Sequence, residues 1–181
     1  MKIKKLNANL SLLTLVLLLI HEGYQLCAYI TFYYNPILTK ASGYAVACCL
    51  ILHAILSVIC VFVLHDSKTI AYKKLNIRTV FQRVSAFMLI LLLPVHIISF
   101  PLLQNSVGSA GYFFVEAAQI IYYAALSCHI ALSFGNALIT LGRLSDMKKK
   151  RVLDIIVFII CALLFIAVSV IITTTHTKIL G

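Results

Sequence analysis

The run Cys128-His129-Ile130-Ala131-Leu132-Ser133-Phe134-Gly135-Asn136-Ala137-Leu138-Ile139-Thr140-Leu141-Gly142 decides the fold. It is apolar and carries a histidine. Ser133 and Asn136 follow His129 at spacings of four and seven. On a helix those three residues share one face. An imidazole at bilayer depth is costly, so it needs a task. Three more histidines, His21, His53 and His96, sit equally deep in three other apolar runs. The chain reads as a scaffold that brings four rings together in pairs.

Composition supports a membrane setting. The 181 residues are 62% hydrophobic and 11% charged, too little polar surface for a soluble domain of this size. The apolar residues fall into runs long enough for a bilayer-spanning helix. The fold class is therefore all-α, an integral membrane five-helix bundle. The expected spans are about 10–34, 44–64, 80–103, 112–141 and 152–175. With no repeat or low-complexity linker, residues 1–181 read as one domain. The first span opens like a signal peptide, but no clean small-residue cleavage site follows it.

Fifteen Lys and Arg stand against five Asp and Glu. In a soluble protein that excess would suggest nucleic acid; here it lies between spans and sets orientation. With the N-terminus cytoplasmic, 13 of the 15 basic residues fall on the inner side, leaving Lys40 and Lys178 outside. Five spans then put the C-terminus outside. Asn35-Pro36 should end the first helix, with a short loop from there to Gly43. Pro94 should kink the third span, and Pro101 should help close its outer end. The six cysteines lie in apolar runs without Cys-x-x-Cys. They read as small buried hydrophobes, and no thiol metal site or covalent haem attachment is written.

The histidines match in depth. His53 and His129 lie about twelve residues from the inner ends of their spans, and His21 and His96 about fifteen. At 1.5 Å per residue the two pairs differ by roughly 5 Å. The economical explanation is two planar cofactors, each gripped by two imidazoles from different helices, as haem iron is in helical bundles. Small neighbours would leave room for porphyrin: Cys49 and Ser57 beside His53, Ala125 and Ser133 beside His129. Gln25, one turn beyond His21, could orient a group there. Such haem would be non-covalent, hence b-type. His65 and His176 read as solvated interfacial residues.

These residues carry a family resemblance. Leu52-His53-Ala54, the basic loop, Phe81-Gln82-Arg83-Val84-Ser85-Ala86, Pro94-Val95-His96 and the stretch from His129 to Thr140 resemble the membrane-anchor cytochrome b of succinate dehydrogenases and fumarate reductases. The likeness is to the single-chain, five-helix, di-haem type and runs from Leu10 to Thr175. It implies that His53 and His129 hold an inner haem iron and His21 and His96 an outer one. It places Arg83 near inner haem propionates, where a guanidinium suits carboxylates. An interfacial anchor is the alternative role for Arg83. The family's Gln-Arg-x-Thr-Gly stands here as Gln82-Arg83-Val84-Ser85-Ala86, with Ala86 in place of glycine. Where some members carry a glutamate two residues before the fourth histidine, this chain has Ser127.

By the same resemblance the chain anchors a cytoplasmic iron–sulfur subunit and a flavoprotein subunit to the cytoplasmic (inner) membrane. Electrons would pass through two haem b groups to or from a quinone, menaquinone by analogy. Intramembrane Glu22 and Glu116 are candidate quinone or proton residues. A neutral, hydrogen-bonded carboxyl is the structural alternative for each. Tyr24, Tyr122 and Tyr123 could line a quinone pocket, though belt or packing roles also suit them. The chain has no flavin or dicarboxylate motif, so alone it would not oxidise succinate. Its basic segments, Lys68 to Arg83 and Arg143 to Arg151, suit protein docking or lipid headgroups equally. Three other readings stay open: a cytochrome b for another dehydrogenase such as a hydrogenase, a histidine-lined metal or proton transporter, and a structural anchor.

Overall fold

Five helices follow one another in the computed structural model: α1 (Lys2–Thr31), α2 (Pro36–Phe62), α3 (Lys73–Asn105), α4 (Ala110–Thr140) and α5 (Met147–Leu180). The structure describes residues 2–31, 33, 35–62, 73–105 and 110–180. No strand occurs among them. All five helices are long and apolar enough to cross a membrane. The windows that qualify them are at most 22% buried inside the protein. Side chains such as Leu19, Ile55, Phe87, Phe114 and Phe158 point outward, a surface that suits lipid and not water. This is a multi-pass membrane protein.

The helices outrun the spans expected from hydropathy. The first starts at Lys2 and not near Leu10, and it ends at Thr31. Residues 36–43, expected as loop, are the opening turns of α2. The reason lies in Asn35 and Pro36. The Asn35 side-chain oxygen accepts from the Ile37 and Leu38 amides at 2.9 and 3.3 Å, and proline suits the first helical position because its missing N–H is not needed there. The proline that was expected to stop one helix starts the next. α3 continues unbroken through Pro94 and past Pro101 to Asn105. In an apolar slab the surrounding backbone has no water to turn to, so it keeps its helical bonds.

The chain divides into two compact bodies: Met1–Thr69 with Asn136–Ser145, and Ile70–Gly135 with Asp146–Gly181. In the first, α1 and α2 form a hairpin closed by one phenol. Tyr24 Oη donates to the Asn35 carbonyl at 3.3 Å and accepts from the Asn35 amide at 2.8 Å. Further along the pair, Asn7 and Ser57 bond each other at 3.1 Å, beside an apolar groove formed by Leu6, Leu10, Leu52, Ile55 and Leu56. This body also holds the last turn of α4. There Arg143 N–H reaches the Leu138 carbonyl and Gly142 N–H the Ile139 carbonyl, at 3.0 and 2.9 Å. Gly142 has φ +75°, the left-handed value that this C-terminal motif requires and that glycine adopts without strain.

The second body is tied by ions. Arg78 of α3 donates to Asp154 of α5 at 2.6 Å and to the Leu132 carbonyl of α4 at 3.1 and 3.4 Å. Lys150, one turn before Asp154, lies 3.6 Å from the same carboxylate oxygen. The other oxygen, Oδ1, is buried and finds no donor among the described residues. It rests against Gly135, where a side-chain carbon would collide with it. Asp146 starts α5, accepting from the Lys148 amide at 2.7 Å.

Gly135→Ala should therefore displace the Asp154 carboxylate and cost about 1–3 kcal/mol. Arg78→Ala should cost a similar amount, because it strips a donor from a half-buried carboxylate and from a backbone carbonyl. Since both changes act on one carboxylate, their effects on thermal unfolding in detergent should be non-additive. Strictly additive losses would show that the two residues do not share it.

Candidate functional site

The four deep histidines divide evenly between the bodies: His21 and His53 in the first, His96 and His129 in the second. Each ring is half-buried. What the hydrogen bonds settle is where the ring proton sits.

His129 is the clearest case. Its Nδ1 lies 3.2 Å from the Gln82 carbonyl of α3. A carbonyl only accepts, so Nδ1 carries the proton and Nε2 the lone pair. Ser85 stands 3.3 Å from the same nitrogen. Its own hydroxyl proton goes to the Gln82 carbonyl at 3.0 Å, so the serine oxygen also accepts from the ring. The Gln82-Arg83-Val84-Ser85-Ala86 segment thus holds His129 by a backbone oxygen and a hydroxyl. Arg83 is exposed and Ser85 is buried at 5% accessibility. Ser133, one turn beyond His129, turns its hydroxyl back to the His129 carbonyl at 2.6 Å, as serines in apolar helices do.

His96 Nδ1 meets the Gln119 side-chain oxygen of α4 at 2.9 Å, which again places the proton on Nδ1. The ring stacks on Tyr122, with centroids 4.4 Å apart and planes 14° apart, and meets Tyr123 edge-on at 5.8 Å. These are favourable aromatic geometries. Ser99 donates to the His96 carbonyl at 2.7 Å. Glu116, one turn before Gln119, is half-buried.

His21 Nδ1 lies 2.9 Å from the Ser42 hydroxyl of α2. Ser42 spends its proton on the Thr39 carbonyl at 3.1 Å. It therefore accepts from His21, and Nδ1 once more holds the proton. Gly43 lies against the ring: a carbon added there would stand 3.4 Å from His21 Cε1, in ordinary contact. The partner of His21 is thus Ser42 on the neighbouring helix. Glu22, next in sequence, is half-buried.

His53 differs. Its Nδ1 is buried with no hydrogen-bond partner among the described residues. The Asn7 backbone lies beside the ring, but the Asn7 and Ser57 side chains bond each other instead.

Sequence reading picked the four rings but not three of their anchors. Ser42, Gln119 and the Gln82 carbonyl come from neighbouring helices, and no local spacing announces them. Arg78 and Asp154 were legible in principle, since Asp154 is an acid inside an apolar span, a position that calls for a partner. Tyr24 closes the helical hairpin. His65 and the His176 side chain lie outside the described residues. All six cysteines are free, but only Cys161 is buried. Cys27 and Cys48 are exposed, contrary to the expected burial, because they fall on the outward faces of α1 and α2. A thiol behaves there as a small apolar group in lipid. Compared with protein families, curated proteins and solved structures, the chain matches none.

Nitrogen NMR of the histidine-labelled chain in detergent should show Nδ1–H rings for His21, His96 and His129. Ser42→Ala should disturb the His21 signals alone. Spectra in which these three rings carry the proton on Nε2 would contradict the arrangement.

Proposed function

We propose that this chain is a di-haem cytochrome b, the membrane anchor of a succinate dehydrogenase or fumarate reductase type complex. The observation that carries the reading is the common tautomer: His21, His96 and His129 each have Nδ1–H tied to an oxygen, so the lone pair lies on Nε2. That is the form in which an imidazole ligates a metal, its far N–H held by an oxygen that orients the ring and raises its basicity. The donor set fits iron in haem: neutral nitrogens on apolar helices, with no thiolate pair to favour zinc or a cluster.

In this reading His53 and His129 hold the inner haem, and His21 and His96 the outer one. The pairing rests on the sequence resemblance. The haem iron supplies one-electron transfer. The chain's own residues do the rest. Ser42, Gln119, Ser85 and the Gln82 carbonyl fix ring orientation. Glu22 and Glu116 are the carboxyls that would exchange protons with a quinone, menaquinone by analogy. Arg83, exposed near the start of α3, is free to reach a propionate. Exposed Lys148, Lys149 and Arg151 would face the cytoplasmic iron–sulfur and flavoprotein subunits, with the N-terminus inside. Lys150 and Arg78 are not available for that surface, since both are committed to Asp154. The membrane would be the cytoplasmic one.

The same hydrogen bonds favour a second reading, in which the histidines only join helices. A dithionite-reduced-minus-oxidised spectrum of the purified chain decides between them. Two haems per polypeptide are expected. Replacing His53 or His129 should remove one haem, and replacing His21 or His96 the other. A folded, colourless chain made with ample porphyrin would leave the helix-joining role and end the cytochrome reading.

A further inference from the structure

Gln119 is 5% exposed, among the most buried polar side chains of the protein. Its two ends differ. The carbonyl oxygen accepts the His96 Nδ1 proton at 2.9 Å. The amide nitrogen is buried with no partner among the described residues. Leaving two N–H groups unmatched in a dry interior is costly. A bond meant only to join α3 to α4 needs the oxygen alone.

What the amide adds is an acceptor of fixed, neutral character. It takes the ring proton more firmly than a thioether can and less firmly than a carboxylate would. The acceptor on the far nitrogen governs how much electron density an imidazole gives its metal. The ring is also clamped by Tyr122, itself 4% exposed. A change at position 119 is therefore felt through the hydrogen bond and not through a loose ring.

We propose that Gln119 is the positioning residue that sets the redox potential of the iron held by His96. The inference rests on the di-haem reading and deepens it by naming a residue that acts through the ligand. The amide oxygen accepts from Nδ1 and leaves the proton on the ring. A carboxylate would draw its proton away, favour the oxidised iron and lower the potential. A side chain without an acceptor would release the ring N–H and raise the potential.

The test uses the full chain purified with its haem. Gln119→Glu and Gln119→Met are compared with the parent for haem per polypeptide and for the midpoint potential of each haem by optical titration. The expected result is one haem moving, down in the glutamate variant and up in the methionine variant, while the other haem keeps its parental potential. If the methionine variant loses haem, the glutamate variant, nearly the same shape, carries the test, and no shift in it overturns the proposal. Potentials unmoved in both variants, or two haems moving together, overturn it while leaving the cytochrome intact. A parent without a Soret band overturns the cytochrome reading itself, and this role with it.

Discussion

A neutral imidazole brings one donor and one acceptor, and inside an apolar slab neither finds water. The donor must be matched by an oxygen of the protein, at a cost of about 1–3 kcal/mol if it is not. That requirement shapes both helical bodies. Ser42 faces His21 across α1 and α2, and Gln119 and the Gln82 carbonyl face His96 and His129 across α3 and α4. The carbonyl oxygens of Gln82 and Gln119 can only accept, which fixes the direction of their two bonds. Ser42 and Ser85 have already given their protons to backbone carbonyls. The serines are thus acceptors by circumstance, and the tautomer follows from the helix turn that precedes them.

The same scarcity of water explains the other polar contacts. Thr14, Thr31, Ser133 and Thr140 bond back to carbonyls four residues earlier in their own helices. They satisfy themselves and tie nothing together. Besides the histidine contacts of His21 and His129, longer side chains join helices: Asn7 to Ser57, Tyr24 to the Asn35 backbone, Gln119 to His96 and Arg78 to Asp154. With lipid as apolar as leucine, these polar contacts give the helices a register that dispersion alone would leave loose.

Much of this was legible in the sequence. Apolar runs gave the number of helices, because a bilayer fixes their length. The four deep histidines stood out because nothing else at that depth carries a ring nitrogen. Helix ends were less legible. Hydropathy stops where lysine and asparagine begin, yet Lys2–Asn9 stays helical, held by Asn7 on Ser57 and by burial of Ala8. Residues 36–43 were misread because Pro36 signals both an end and a beginning, and only the Asn35 cap tells which. The ring anchors were invisible for a different reason. A hydrogen bond between residues 21, 23 or 47 positions apart depends on how two helices rotate against each other, and periodicity within one helix does not encode that.

His53 is the ring that no side-chain or carbonyl oxygen meets at Nδ1 among the described residues. Its Nδ1 is buried and unmatched among the described residues, while Asn7 and Ser57 spend their polar atoms on each other at 3.1 and 3.4 Å. Those two could have served the ring as Ser42 and Gln119 serve theirs. Because they do not, what α1 offers the His53 ring is the Asn7 backbone and not a side chain. Gly135 makes the complementary point for charge. Asp154 keeps Oδ1 without a donor only because Arg78 and Lys150 neutralise the carboxylate from its other oxygen, and because glycine lets that oxygen lie against the α4 backbone. Polar groups left unmatched in this interior are tolerated where a neighbour has already carried most of their electrostatic cost.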